Sequence, residues 1–237
     1  GYAATTDPDG VYIHLYGSGS LRADVDGHPV TLAVRTGYPW QGRIAVTVTD
    51  TAVERPWTLA LRVPGWCEDV TVTVDGAPAP AHAERGYLRL RRLWPAGASV
   101  VVDLGMPPRL GTAHPRVDAV RGCVAVLRGP LVFCLEEADL PAGVTLEDVR
   151  LDASAPIRVV EPEPGAGIPV LLAATGQVVD GSADDLYPAL GPGAPAGAFL
   201  DAGPAGRSGI ALSLVPYFLW GNRAPGSMRV WIPVGTT

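Results

Sequence analysis

Short apolar runs that alternate residue by residue, cut by turn residues at close intervals, constrain this chain more than any other feature. Ile44-Ala45-Val46-Thr47-Val48-Thr49 alternates strictly, and so do the stretches from Thr58 to Val63 and from Val70 to Val74. Period-two alternation belongs to a strand with one buried and one open face, and no helical pattern of comparable length competes with it. The stretches Val11 to Tyr16, Leu21 to Val25, Val30 to Arg35, Tyr87 to Leu90 and Val100 to Leu104 read the same way. Asp26-Gly27 and Asp75-Gly76 supply turns, the first a hairpin signal. The 29 Gly and 24 Pro fall between these runs, so they mark turns rather than disorder.

Two adjacent prolines cannot lie in a central strand, so Met106-Pro107-Pro108 reads as a boundary. Beyond it, strands are expected from Cys123 to Leu127 and from Leu131 to Leu135, joined through Arg128-Gly129-Pro130. Further strands are expected at Ile157 to Val160, Ile168 to Leu172, Ile210 to Leu219 and Met228 to Ile232. Residues 180–206, rich in Gly, Pro, Ala and Asp, read as a long surface excursion. The resulting expectation is an all-β chain of two consecutive antiparallel, jelly-roll-like β-sandwich domains, residues 1–106 and 107–237. No repeat period points to a solenoid or propeller.

The net charge is −6 and every basic residue is Arg, so no basic stripe suggests nucleic acid. No polybasic segment or apolar stretch of about 18 residues suggests a membrane. The chain opens on Gly1, without a charged-then-apolar leader, and reads as a piece of something longer. Its odd cysteine count leaves a thiol unpaired and leans towards a reducing, cytoplasmic compartment.

Chemistry-bearing residues are scattered. Cys67, Cys123 and Cys134 show no ligand spacing and read as small buried apolar groups, not metal ligands. Glycoside hydrolysis commonly uses two carboxylates, which draws attention to Glu136-Glu137, Asp139 and Asp184-Asp185. Adjacent residues on an extended chain face opposite ways, so Glu136 and Glu137 cannot both face one sugar if the strand continues through them, and solvated loop charges are the simpler reading. Gly17-Ser18-Gly19-Ser20 lacks nucleophile-elbow spacing, and a chain without Lys has no Walker lysine. No catalytic residue, metal ligand or cofactor-binding residue is expected in this chain.

His114-Pro115-Arg116 holds an imidazole and a guanidinium on a fixed backbone. It reads either as a sugar or carboxylate clamp or, more simply, as a structural ion pair between the blocks. Tryptophan serves sugar stacking and sandwich cores alike. Trp40, beside a proline, is the candidate for surface exposure; Trp220 and Arg223 close an aromatic run that begins at Tyr217. Trp40, His114, Arg116, Trp220 and Arg223 are therefore the candidate sugar or domain-interface contacts.

An ordered set of phrases runs through nearly the whole chain: Tyr38-Pro39-Trp40 with Gly42, Leu59 through Val63-Pro64-Gly65-Trp66-Cys67, and Met106-Pro107-Pro108-Arg109. Ala113-His114-Pro115-Arg116-Val117, Leu127-Arg128-Gly129-Pro130 through Glu136, and Val215-Pro216-Tyr217 through Trp220-Gly221-Asn222-Arg223 follow, ending in Met228-Arg229-Val230-Trp231-Ile232. Together they resemble the C-terminal part of the bacterial β-L-arabinofuranosidase family, glycoside hydrolase family 127. The resemblance implies that an α/α-barrel catalytic domain precedes two β-sandwiches, and that this chain is the sandwich pair. It implies catalysis by a zinc-bound cysteine within that barrel, whose adjacent cysteine pair is absent here. It implies the barrel as partner, and plant-type arabinose-containing glycans as what the parent acts on. Two other readings stay open: an independent carbohydrate-binding module, and a self-contained hydrolase using Glu136, Asp139 or the Asp184 region.

Overall fold

The structure is a computed structural model that describes residues 2–179 and 208–235. Two compact units, Gly1–Pro107 and Pro108–Thr237, divide the chain. The 180–206 excursion and Asp184-Asp185 lie outside the described residues.

In the first unit, two sheets carry the alternation read from the sequence. One holds β1 (Ala4–Asp7), β2 (Gly10–Ile13), β6 (Trp57–Arg62), β10 (Tyr87–Arg92) and β9 (Ala83–Glu84), in the order β1-β2-β6-β10-β9. The other holds β3 (Gly19–Val25), β4 (His28–Thr36), β5 (Arg43–Thr51), β11 (Ser99–Leu104), β7 (Val70–Val74) and β8 (Ala77–Pro78), in the order β3-β4-β5-β11-β7-β8. Pairings are antiparallel except β2 with β6, which run parallel. Alternate residues turn inward: Val30, Leu32 and Val34 on β4, Ile44, Val46 and Val48 on β5, Val100, Val102 and Leu104 on β11. They meet Val11, Ile13, Trp57, Leu59, Leu61 and Leu88 from the facing sheet in one core. Each such side chain contributes roughly 1.5–3 kcal/mol by leaving water.

The central strand β6 departs from alternation: Trp57 through Leu61 are all buried. Its outward Ala60 is fully covered because its neighbours in register, Tyr12 and Arg89, arch over the small side chain. The Arg89 guanidinium lies 5.3 Å from the Tyr12 ring centre. Two residues further along, the His14 Nδ1 and the Tyr87 hydroxyl meet at 2.7 Å across β6. A larger residue at position 60 would push β2 and β10 side chains apart. Two glycines are also dictated by contact: a Cβ on Gly10 would lie 1.9 Å from the Thr58 carbonyl oxygen, and one on Gly42 would lie 2.0 Å from that of Leu104. The turn pair Asp26-Gly27 adopts φ of 56° and 81°, the left-handed region that suits Asp and Gly there.

Among the described residues, the second unit is a single nine-stranded sheet curled around its own core. Its main order is β12 (Pro108–Thr112), β13 (Cys123–Arg128), β14 (Leu131–Glu136), β18 (Ser208–Pro216), β17 (Leu171–Val178) and β15 (Val149–Leu151). β16 (Arg158–Val160) adds to β17, β19 (Met228–Arg229) to β14 and β20 (Trp231–Pro233) to β13. Val234, just past β20, bridges to Leu151 on β15, so the last strand links the two sides of the curl. Val126, Phe133, Leu135, Leu151, Leu172, Leu214 and Ile232 fill the interior.

The all-β expectation of consecutive sandwich-like units holds, with differences at strand ends. Pro108 starts an edge strand, where its missing N–H costs no ladder bond. The strand expected from Ile210 to Leu219 stops at Pro216, and Tyr217–Leu219 form a 3₁₀ turn. β1 and the short β15 lack a distinctive alternating pattern and were not expected.

Trp57 and Trp94 pack at 6.1 Å between ring centres, and the Trp94 Nε1–H donates to the Trp57 carbonyl at 3.1 Å. The Trp57 Nε1–H finds no acceptor among the described residues. Trp→Phe at either position removes similar ring volume, but only Trp94→Phe breaks a made hydrogen bond. Chemical denaturation should show Trp94→Phe the more destabilising by about 0.5–1.5 kcal/mol. Gly42→Ala, which forces the two backbones apart, should cost about 1–3 kcal/mol in the same measurement.

Candidate functional site

In the second unit the residues with chemical potential converge where β14 ends. Leu131-Val132-Phe133-Cys134-Leu135-Glu136 is a core strand with only Val132 exposed, and its apolar run carries Glu136 to a position only 3% exposed. The 3₁₀ turn Glu137–Asp139 follows and brings Asp139 back beside it. Opposite, Pro216 terminates β18, and the turn Tyr217–Leu219 leads to Gly221, whose φ of 77° swings the chain back towards β14.

Arg223 arrives between the two carboxylates. Its Nη1 donates to Asp139 Oδ1 at 2.8 Å and its Nη2 to Asp139 Oδ2 at 2.6 Å, a two-pronged fork. Nη2 also donates to Glu136 Oε2, while Glu136 Oε1 accepts the Gly221 backbone N–H at 3.0 Å. The hydrogen bonds it donates to Asp139 foremost, with that to Glu136, hold the Arg223 guanidinium still more firmly protonated than an ordinary arginine, against the opposing effect of burial. Further along, the Ser227 N–H donates to Glu137 Oε2 at 3.2 Å and the Glu137 N–H donates back to the Ser227 carbonyl at 3.0 Å. The Trp220 Nε1–H donates to the Gly226 carbonyl at 2.9 Å. The loop is thus stitched to β14 and to itself.

This arrangement does not suit acid–base work on a glycosidic bond. Such chemistry needs two carboxyl groups facing across an open gap of roughly 5–9.5 Å in which the sugar sits. Here the guanidinium fills the gap and engages both groups. Glu136 and Glu137 point to different partners, although the strand ends at Glu136 and Glu137 opens a 3₁₀ turn, so the extended geometry expected from the sequence is not what separates them. Among the described residues, no three His, Cys, Asp or Glu side chains converge as metal ligands. The residues present therefore do not fit the zinc–thiolate group that the family resemblance implies for a barrel domain.

The five candidates from the sequence fall in three places. Trp220 and Arg223 share the loop just described. His114 and Arg116 are exposed in the turn after β12; the Arg116 N–H donates to His114 Nδ1 at 3.2 Å, and no ion pair of Arg116 occurs among the described residues. His114 lines a shallow groove of about 350 Å3 with Cys123 and Val234. Trp40 belongs to the first unit and is half-buried in a turn where its N–H donates to the Gly37 carbonyl at 2.9 Å, rather than projecting freely. What sequence reasoning missed is the pairing of Glu136 with Arg223, which are 87 positions apart. The available signal was an acidic residue closing an otherwise apolar strand.

Removing the guanidinium strands a buried carboxylate. Arg223→Ala should destabilise the chain by about 2–4 kcal/mol, because breaking a buried pair leaves one charge unanswered. Adding Glu136→Gln should recover part of that loss in a double-mutant cycle. Beside this cluster, burial first and the Glu136 charge second push the Cys134 thiol up to about 11 from 9.0. Stability is fully present below pH 9, where the thiol is protonated in both states, and falls as pH climbs from 9 to 11, where the unfolded chain ionises and the buried thiol does not. Thermal melts across that window should fall, and fall less in Cys134→Ala. At neutral pH the fully buried Cys134 should resist alkylation while the half-buried Cys123 reacts.

Comparison with known proteins agrees with these features. Residues 10–106 match the family profile described as the β-L-arabinofuranosidase middle domain of glycoside hydrolase family 127, and residues 108–233 match that family's C-terminal domain. A non-reducing end β-L-arabinofuranosidase from Bifidobacterium longum subsp. longum is 33% identical over 209 residues, which is 85% of this chain and 30% of that protein. The crystal structure of a family 127 β-L-arabinofuranosidase from Geobacillus stearothermophilus T6 superposes with a TM-score of 0.83 at 32% identity, over 99% of this chain and 35% of that one. A second solved structure, titled a β-arabinofuranosidase of the same family, gives 0.80 at 30% identity, over 99% and 36%. The chain spans about a third of the length of these relatives. It belongs to glycoside hydrolase family 127 and corresponds to that family's non-catalytic middle and C-terminal β domains.

Proposed function

We propose that this chain is the accessory β portion of a glycosidase that releases β-linked L-arabinofuranose, or a closely related sugar, from plant-type glycans. In this reading the chemistry belongs to a further catalytic domain of the parent protein, and these two units support it. The observation that carries the reading is the closure of Arg223 on Glu136 and Asp139, which commits those carboxylates to the fold. The names of the relatives supply the substrate class, and the share of their length that is matched leaves room for the catalytic domain.

Incubation of the 237-residue chain with an aryl β-L-arabinofuranoside, with and without zinc, tests this. No turnover above buffer is expected from the chain, and turnover is expected from the full polypeptide of the parent gene. Activity that co-purifies with the chain and disappears in Glu136→Gln would overturn the reading and restore the self-contained hydrolase.

A further inference from the structure

The loop that Arg223 anchors also displays something. Tyr217, Phe218 and Trp220 are 45%, 54% and 45% exposed, three large rings within four residues. Exposed rings of this size are unusual unless a surface is used. Their backbone is fixed on one side by the turn in which the Trp220 N–H donates to the Tyr217 carbonyl at 3.1 Å, and on the other by the Gly221 and Arg223 bonds to Glu136. The rings are presented on a rigid mount, so little further ordering is needed when something covers them.

What could cover them is limited by which polar groups are still available. A sugar platform needs an aromatic face with hydrogen-bonding groups beside it to read the hydroxyls. Here the Trp220 Nε1–H is committed to the Gly226 carbonyl, the Gly221 N–H to Glu136, and the Arg223 guanidinium to two carboxylates. The Tyr217 hydroxyl and the Asn222 side-chain amide are left beside the rings, and pre-organised Tyr and Trp rings with a few polar groups at their edge are the usual anchors of protein–protein contacts. The family relationship says which protein surface is at hand: the matching profile is a middle domain, and the relatives carry about two thirds of their length outside the region matched here.

We infer that the Tyr217-Phe218-Trp220 ledge is the docking surface for the domain that precedes the middle domain in the parent polypeptide, and that the Arg223–Glu136–Asp139 cluster acts as its positioning device. This inference rests on the accessory reading proposed above. The partner is an apolar protein face on the same polypeptide, so its effective concentration is high and a small ledge suffices.

Hydroxyl-radical footprinting of the 237-residue chain and of the full parent polypeptide tests this directly. In the full polypeptide the reactivity of Tyr217, Phe218 and Trp220 should drop several-fold, while Tyr12 and Tyr87 on β2 and β10 serve as internal references. Tyr217→Ser, which touches none of the cluster's hydrogen bonds, should lower the melting temperature of the full polypeptide and leave that of the 237-residue chain unchanged. Equal reactivity of the ledge in both proteins would overturn the inference, even if the full polypeptide is an active arabinofuranosidase. So would protection of the 237-residue chain that appears only at rising protein concentration, which assigns the ledge to a second copy. Protection appearing only on adding an arabinose-containing oligosaccharide would overturn it in favour of a glycan. A parent gene encoding no further domain would remove the accessory reading itself, a failure distinct from an unprotected ledge.

Discussion

A charge buried at the end of an apolar strand has to be answered, and in the second unit that requirement dictates what surrounds it. β14 is driven inward by Leu131, Phe133, Cys134 and Leu135, and Glu136 is carried in with them. An isolated carboxylate there would cost several kcal/mol, so the fold must deliver a cation and at least one further donor. Arg223 and the Gly221 N–H are those groups. Gly221 has to adopt a left-handed backbone to bring both into place, and Asp139 then balances the guanidinium from the other side. The turn, the glycine, the arginine and the second acid follow from one buried oxygen pair.

The first unit answers a different constraint with different means. Its central strand β6 is covered on both faces although the sheet is open to solvent on one side. A small residue in the middle, Ala60, lets Tyr12 and Arg89 from strands two places apart meet above it, and His14 and Tyr87 meet two residues further along. The covering layer is polar at its rim and apolar underneath, so the sheet face is closed without a second sheet. The close approaches at Gly10 and Gly42 show the same economy, since backbone packs against backbone where no side chain fits.

Most of the strands were legible because alternation reports directly on which face is buried. Ile44 to Thr49 and Val100 to Leu104 are cases in which side-chain period and backbone state agree. The errors fall where that link breaks. Tyr217 and Phe218 are strong strand formers, yet the chain turns there, and the turn carries Arg223 to Glu136. β12 hides behind two prolines because an edge strand tolerates a missing donor. The candidate cluster was visible only as parts: Glu136 and Asp139 as suspect acids, Arg223 as an end to an aromatic run. Joining them requires knowing that β14 and β18 are neighbours, and strand order is a long-range property that local pattern does not encode.

The bridge from Val234 to Leu151 has a consequence for the order in which the chain matures. Among the described residues, every strand of the first unit pairs within that unit's own span, so those pairings are all available once the span has emerged from the ribosome. The second cannot. β13 and β14 are made early but one edge of each is completed by β20 and β19, close to the end of the described chain. Until those residues are synthesised, two core strands present bare backbone donors and acceptors, which is the condition that invites pairing with the wrong neighbour. During synthesis the second unit is therefore the vulnerable half, and a stalled or prematurely terminated product would carry a finished first unit joined to an open, adhesive sheet.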